Sequence, residues 1–208
     1  MNSDKTTGSR LIRARSVFKL VTRAAVAAPL LLTLGCSGSL YKVKPASELA
    51  RLPDNAATAN LGPVSFRAAP LLTDEESQEL FESNLHLAGL LPVRVEIIHN
   101  SGASIELKKV RFHLHDSGGT DWKPISFKKA IALILKANGI SLYNPDSRKT
   151  FEKEFRAYEL DLKAPLTNAE HRRGFVIFLS PKKQPVASPH GLVLTIEGLS
   201  QPATLNLN

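Results

Sequence analysis

Two short patterns in this 208-residue chain have residue types and spacings suited to chemistry, and a single thiol stands apart from both. In Asp116-Ser117-Gly118-Gly119, Ser117 is a nucleophile if a histidine base and an orienting carboxylate lie beside it. Ser and Asp beside Gly-Gly are also what a tight turn demands, and the turn is the stronger reading. His113 and His115, two apart on a strand, share a face as zinc ligands do, but a site needs a third ligand nearby. His99 lies across a turn expected at Asn100 to Gly102, about ten residues and roughly 30 Å of strand from His113. Arg111 on the same face would oppose a metal ion, so these histidines read as a solvated face. Cys36 is the only cysteine, which excludes an internal disulfide and any Cys-rich zinc site. No catalytic residue, metal or cofactor is therefore assigned, and the chain reads as non-enzymatic.

Charge is the remaining signal. Between Lys108 and Lys136 seven bases stand against two acids, and Arg172-Arg173 add a pair. If they share a side, Lys108, Lys109, Arg111, Lys128 and Lys129 form a candidate interaction face for anionic headgroups or an acidic partner, flanked by Trp122 and Tyr143. The whole chain has 27 Lys plus Arg against 19 Asp plus Glu, a formal charge of +8, and a pI of about 9.7. Six of those bases and one acid fall in the first 35 positions, and without them 21 bases face 18 acids. That density is too low for phosphate neutralisation, which removes nucleic acid as a default partner. An apolar content of 43% with 22% charged residues is ordinary for a globular protein and excludes a disordered or collagen-like chain.

The early bases precede Ala24 to Leu34, an uncharged run that ends at Gly35-Cys36. This is a secretory signal pattern, too short for a span of about 20 apolar residues. Leu32-Thr33-Leu34-Gly35-Cys36 resembles the lipobox of bacterial lipoprotein precursors. The resemblance implies diacylglycerol on the Cys36 thiol, cleavage before Cys36, and often a further acyl chain on the new amino group. At about 0.8 kcal/mol per buried CH₂, two or three chains anchor stably where one is marginal. In Gram-negative members of the class that it resembles, an Asp after the cysteine favours inner-membrane retention, so by this resemblance Ser37 implies the outer membrane. The expected organisation is a signal peptide over 1–35, a flexible tether over 36–61, rich in polar residues with Pro and Gly, and one domain over 62–208.

Within that domain a strand is expected at Pro63 to Ala68. Thr73 to Glu76 has capping-box spacing, opening a helix that Gly89 would stop. From Pro92 the apolar period becomes two, giving a predicted hairpin of Val93–Ile97 with Ile105–Leu107 and a corner near Lys108-Lys109. Helices are expected at Phe127 to Asn138, with Ser126 as cap, and at Asp146 to about Phe155. Strands are expected at Tyr158 to Leu162, Gly174 to Ser180, Gly191 to Leu199 and Ala203 to Leu207, with Pro181 to His190 as an exposed loop.

Leu166 to Leu179 with Gly191 to Leu199, and Leu90 to Gly102, are similar to strands of Ig-like sandwich domains in bacterial envelope lipoproteins. The expected fold is mainly β (α+β): an antiparallel Ig-like β-sandwich of about seven strands with two or three inserted α-helices. The expected function is a monomeric, non-catalytic interaction or structural module, held on the membrane by lipid on Cys36, with an envelope protein as partner. The alternative is a small-molecule or lipid-binding lipoprotein in which the helices at Thr73 to Ala88 and Phe127 to Asn138 cover an apolar cavity. A hydrolase or metal site comes third.

Overall fold

The computed structural model describes residues 43–140, 145–187 and 189–208. Expectations for the signal, Cys36, residues 37–42 and Tyr143 lie outside these. Eight strands follow in chain order: β1 (Ala57–Leu61), β2 (Val64–Pro70), β3 (Leu90–His99), β4 (Arg111–His115), β5 (Asp121–Ile125), β6 (His171–Leu179), β7 (Val193–Glu197) and β8 (Ala203–Asn206). Three helices lie between them: α1 (Asp74–Phe81), α2 (Phe127–Ala137) and α3 (Pro145–Arg156). The strands form one antiparallel sheet in the order β1-β2-β3-β6-β5-β4-β7-β8.

That sheet curls until β1 and β8 approach within 8 Å, Cα to Cα, so its shape is nearly that of a barrel. The mainly β expectation holds; the count is eight rather than about seven, and the strands run in one hydrogen-bonded sequence. β5 makes the continuity. Its first residues pair with β4 (Asp121↔His115, Trp122↔Leu114) and its last with β6 (Lys123↔Leu179, Pro124↔Phe178, Ile125↔Ile177). Pro124, which has no N–H to donate, stands in this short corner strand, where a central-ladder position would be costly.

Alternation places one face of every strand inside the curl. Phe66, Val93, Val95, Ile97, Leu114, Phe178, Leu194 and Ile196 pack there, each at 2% exposure or less. The second core lies between the outer face of β3 and β6 and the helices. Phe81 on α1 is its hub, with ring centroids 5.0 Å from Phe155, 5.0 Å from Tyr158 and 5.6 Å from Phe175 in tilted or edge-on geometry, the arrangement aromatic quadrupoles favour. The Tyr158 hydroxyl donates to the Lys44 carbonyl at 2.6 Å, and burial pushes its pKa up to about 12.

Several local expectations match. Thr73 Oγ1 accepts from the Glu76 N–H at 3.2 Å while the Glu76 carboxylate accepts from the Thr73 N–H at 3.1 Å, a complete capping box. Ser126 caps α2, and α3 places Phe151 and Phe155 on its buried face. Its observed i,i+4 ion pair is Arg148 with Glu152 at 3.0 Å.

Other elements differ. Helix α1 ends at Phe81, well before Gly89, because Glu82 adopts a left-handed conformation (φ 47°) and closes the helix through its N–H to Gln78 O. The hairpin of Val93–Ile97 with Ile105–Leu107 does not form. β3 pairs instead with β2 and β6, and Ile105 makes only an isolated bridge to Leu166. A turn closed by the Val110 N–H to Leu107 O supplies the predicted corner. Tyr158 to Leu162 is not a regular strand; Glu159 makes one parallel bridge to Phe175. That crossing is tight, since a Cβ on Gly174 would lie 2.6 Å from Leu160 Cα, so only glycine lets the two backbones approach.

The largest correction concerns the expected tether over 36–61. From Val43 onward the segment is part of the fold: Val43, Leu49 and Leu52 are at most 7% exposed, and Ala57–Leu61 is the edge strand β1. Ser, Asn, Pro and Ala gave this stretch a linker's composition, but its few spaced apolar residues each find a core position.

Candidate functional site

Among the described residues, two grooves and one buried charge cluster gather polar or accessible chemistry. The first groove opens at the β5 corner. β4 is paired with β7 along all five residues but with β5 only at Leu114 and His115. Arg111, Phe112 and His113 therefore border a cleft of about 280 Å³, whose far wall includes Glu159, Leu160 and Leu162, with Ile125, Phe127 and Val176 also lining it. Phe127, which lines the groove, starts α2, and Lys128 and Lys129 follow it as exposed residues of the first turn. Lys108 and Lys109 are exposed in the turn before β4. The Arg111 guanidinium turns back to donate to the Lys108 and Val110 carbonyls, both at 2.8 Å.

The second groove, about 450 Å³, lies between the β4–β5 turn and the proline-rich loop after β6; Asp116, Ser117, Trp122, Lys182, Gln184 and His190 line it. The composition is that of a hydrolytic triad but the wiring is not. Ser117 Oγ donates to the His190 backbone carbonyl at 3.3 Å. Asp116 is occupied by its own turn, Oδ1 accepting from the Gly118 N–H at 2.9 Å and the Thr120 N–H at 3.1 Å, and Oδ2 from Trp122 Nε1–H at 3.3 Å. Burial pushes the Asp116 pKa up, but the donors of Thr120, Trp122 and Gly118 outweigh it and hold the carboxyl below its ordinary range. A carboxylate spent this way cannot also orient an imidazole. Gly191 completes the close fit, because at φ +57° a Cβ there would meet Ser117 Cβ at 2.6 Å.

His113 and His115 do share the outer face of β4, and His113 Nε2 is 3.5 Å from Glu197 Oε2, with both side chains more than half exposed. His99 is fully buried elsewhere, its Nδ1 2.9 Å from Thr167 O. Among the described residues no group of three or more His, Cys, Asp or Glu is placed to hold a metal ion. Trp122 belongs to the inner core. Arg172 and Arg173 separate: Arg172 clamps the Asp161, Ala164 and Pro165 carbonyls with Glu170, while Arg173 points to the opposite face.

The charge cluster escaped the sequence reading. Arg94 and Glu96 alternate with Val93, Val95 and Ile97, yet they too are buried, at 7% and 1% exposure. The β register places Arg67, Glu96 and Arg173 in one lateral row across β2, β3 and β6. Glu96 meets Arg94 at 3.2 Å, Arg67 at 3.6 Å and His171 at 3.5 Å. Residues 49–53 close over this row: Leu52 N–H donates to Glu96 at 3.3 Å, and Arg173, Arg94 and Arg67 donate to the carbonyls of Leu49, Ala50 and Pro53. Burial pulls the Arg94 pKa down, and Glu96 beside it opposes that shift. The cluster is a lock that holds the segment leading into β1 on the sheet. Its signal in sequence was Leu49 and Leu52, spaced apolar residues in an otherwise polar stretch.

Compared with known proteins, the chain matches no family model, no curated protein and no solved structure.

Proposed function

We propose that this protein is a lipid-anchored lipoprotein of the bacterial cell envelope, with the outer membrane favoured, whose β-domain is a monomeric, non-catalytic interaction module. The observation that carries the reading is the lone thiol: the only cysteine of 208 residues follows Gly35 at the end of an uncharged run behind six bases. No helix among the described residues is long and apolar enough to cross a membrane, so a lipid would be the attachment this reading requires. Val43 is buried in the domain, so no more than the six residues 37–42 can separate the domain from Cys36, an upper bound of about 20 Å. The domain would be held close to the bilayer rather than displayed on a long stalk. Kinship with Ig-like envelope domains belongs to the same proposal; it is supported by the two halves of the sheet, which face each other across the inner core.

The non-catalytic part is supported by Asp116, whose carboxylate serves its own turn, and by Ser117, whose hydroxyl donates to the His190 backbone carbonyl. A second reading, a carrier of a small apolar molecule, draws on the groove beside β4. That groove is open to solvent and carries Arg111, His113 and Glu159 among its lining residues, so an exposed interaction groove is the better description. The test is metabolic labelling with palmitate. The parent chain takes up label and Cys36→Ala takes up none; label in the substituted protein would overturn the assignment.

A further inference from the structure

We propose that the open edge of β4 is a docking site for an extended, acidic polypeptide segment, which adds to the sheet as a short strand. The proposal rests on the interaction-module reading and names the partner class for the groove beside β4. Arg111, Phe112 and His113 are paired to Glu197, Ile196 and Thr195 of β7 on one side, while β5 pairs only with Leu114 and His115 on the other. A strand edge whose N–H and C=O groups lack a ladder is a template for another chain. The cause is built into the fold, because β5 leaves β4 after Trp122 to pair with β6 from Lys123.

The opposite wall includes the backbone around Glu159, which makes an isolated bridge to Phe175, so an incoming strand would lie between that segment and β4. Phe112, Ile125, Phe127, Leu160 and Val176 make the lining apolar, and about 280 Å³ suits a few aliphatic side chains from one strand face. Three open positions correspond to about 10 Å of strand.

Charge selects the partner. Lys108 and Lys109 are exposed at the turn that leads into the open edge, Lys128 and Lys129 at the start of α2, and Arg111 lines the groove. Glu159 is the acid among the lining residues, and Glu197 is engaged with His113. Basic residues around a short apolar cleft favour carboxylates flanking an apolar strand, chiefly by speeding encounter and fixing register.

The experiment uses the purified full chain and a pool of synthetic peptides in which Asp and Glu flank alternating Val, Ile, Leu and Thr, read by fluorescence anisotropy. The pool is expected to bind, with binding about tenfold weaker after Lys108→Glu with Lys109→Glu and largely lost when alternate peptide nitrogens are methylated. Exchanging the flanking acids for Lys should abolish binding in the parent chain. Equal binding of methylated and unmethylated pools would overturn strand addition, and no binding of the acidic pool would overturn the site. Attachment to phosphatidylglycerol vesicles without peptide binding would overturn it in favour of a headgroup surface. Palmitate labelling of the same preparation reports separately on Cys36, so loss of this proposal and loss of the lipoprotein reading give different results.

Discussion

The outer faces of β3 and β4 look alike in sequence and differ completely in the fold. β3 alternates Val93, Val95 and Ile97 with Arg94 and Glu96; β4 alternates Phe112 and Leu114 with Arg111, His113 and His115. In β4 the charged residues are mostly solvated, as antiparallel sheets with one wet face allow. In β3 they are buried, because the helices and residues 49–53 cover that half of the sheet, and the charges survive burial only by pairing with one another and with backbone carbonyls. Alternation thus reports which residues share a face. It does not report whether that face meets water, which depends on segments far away in sequence.

This difference can be broken from the β3 side first. Removing residues 43–61 deletes β1, the cover over Glu96 and the buried Val43, Leu49, Leu52 and Leu61. A chain starting at residue 62 is expected to lose its cooperative melt, whereas one starting at residue 43 should keep it; calorimetry on the two decides. Next in size is Glu96→Ala, which leaves Arg94 buried beside Arg67 and Arg173 without the carboxylate. Breaking a buried pair in this way costs about 3–5 kcal/mol, measurable as a lower urea midpoint.

The capping box is a smaller device on the same half. Thr73→Ala removes the acceptor for the Glu76 N–H at the start of α1 and should cost about 1 kcal/mol in urea unfolding. On the β4 side, replacing His113 and His115 together with Gln should change stability by less than about 0.5 kcal/mol, since the His113 contact with Glu197 is exposed. A large drop in Tm for that pair would mean the face is covered or ligated after all.

What was legible in sequence follows the same division. Local devices could be read directly: the Thr73–Glu76 box, the Ser126 cap, the Asp116–Thr120 turn, the alternation of β4 and the continuous apolar run of β6 each depend on neighbours in the chain. The hairpin expected at Asn100 to Gly102 could not be excluded locally, because β3 finds β2 and β6 as partners and the segment around Ile105 is claimed by Leu166. Residues 43–61 were misjudged for a related reason. Their apolar residues are too sparse to show a period, and become informative only when set on the sheet they cover. For the candidate site, Arg111 with Lys108, Lys109, Lys128 and Lys129 was visible as charge density, but the groove that Arg111 lines was not, since it exists only because β5 changes partners.

The lipid anchor is the central claim, and the mass of the mature chain tests it most directly. Intact-mass and N-terminal fragment spectra of the protein extracted from membranes should show a chain beginning at Cys36 that carries diacylglycerol on its thiol. A mature chain beginning at any other residue, or one with Cys36 unmodified, would contradict the account.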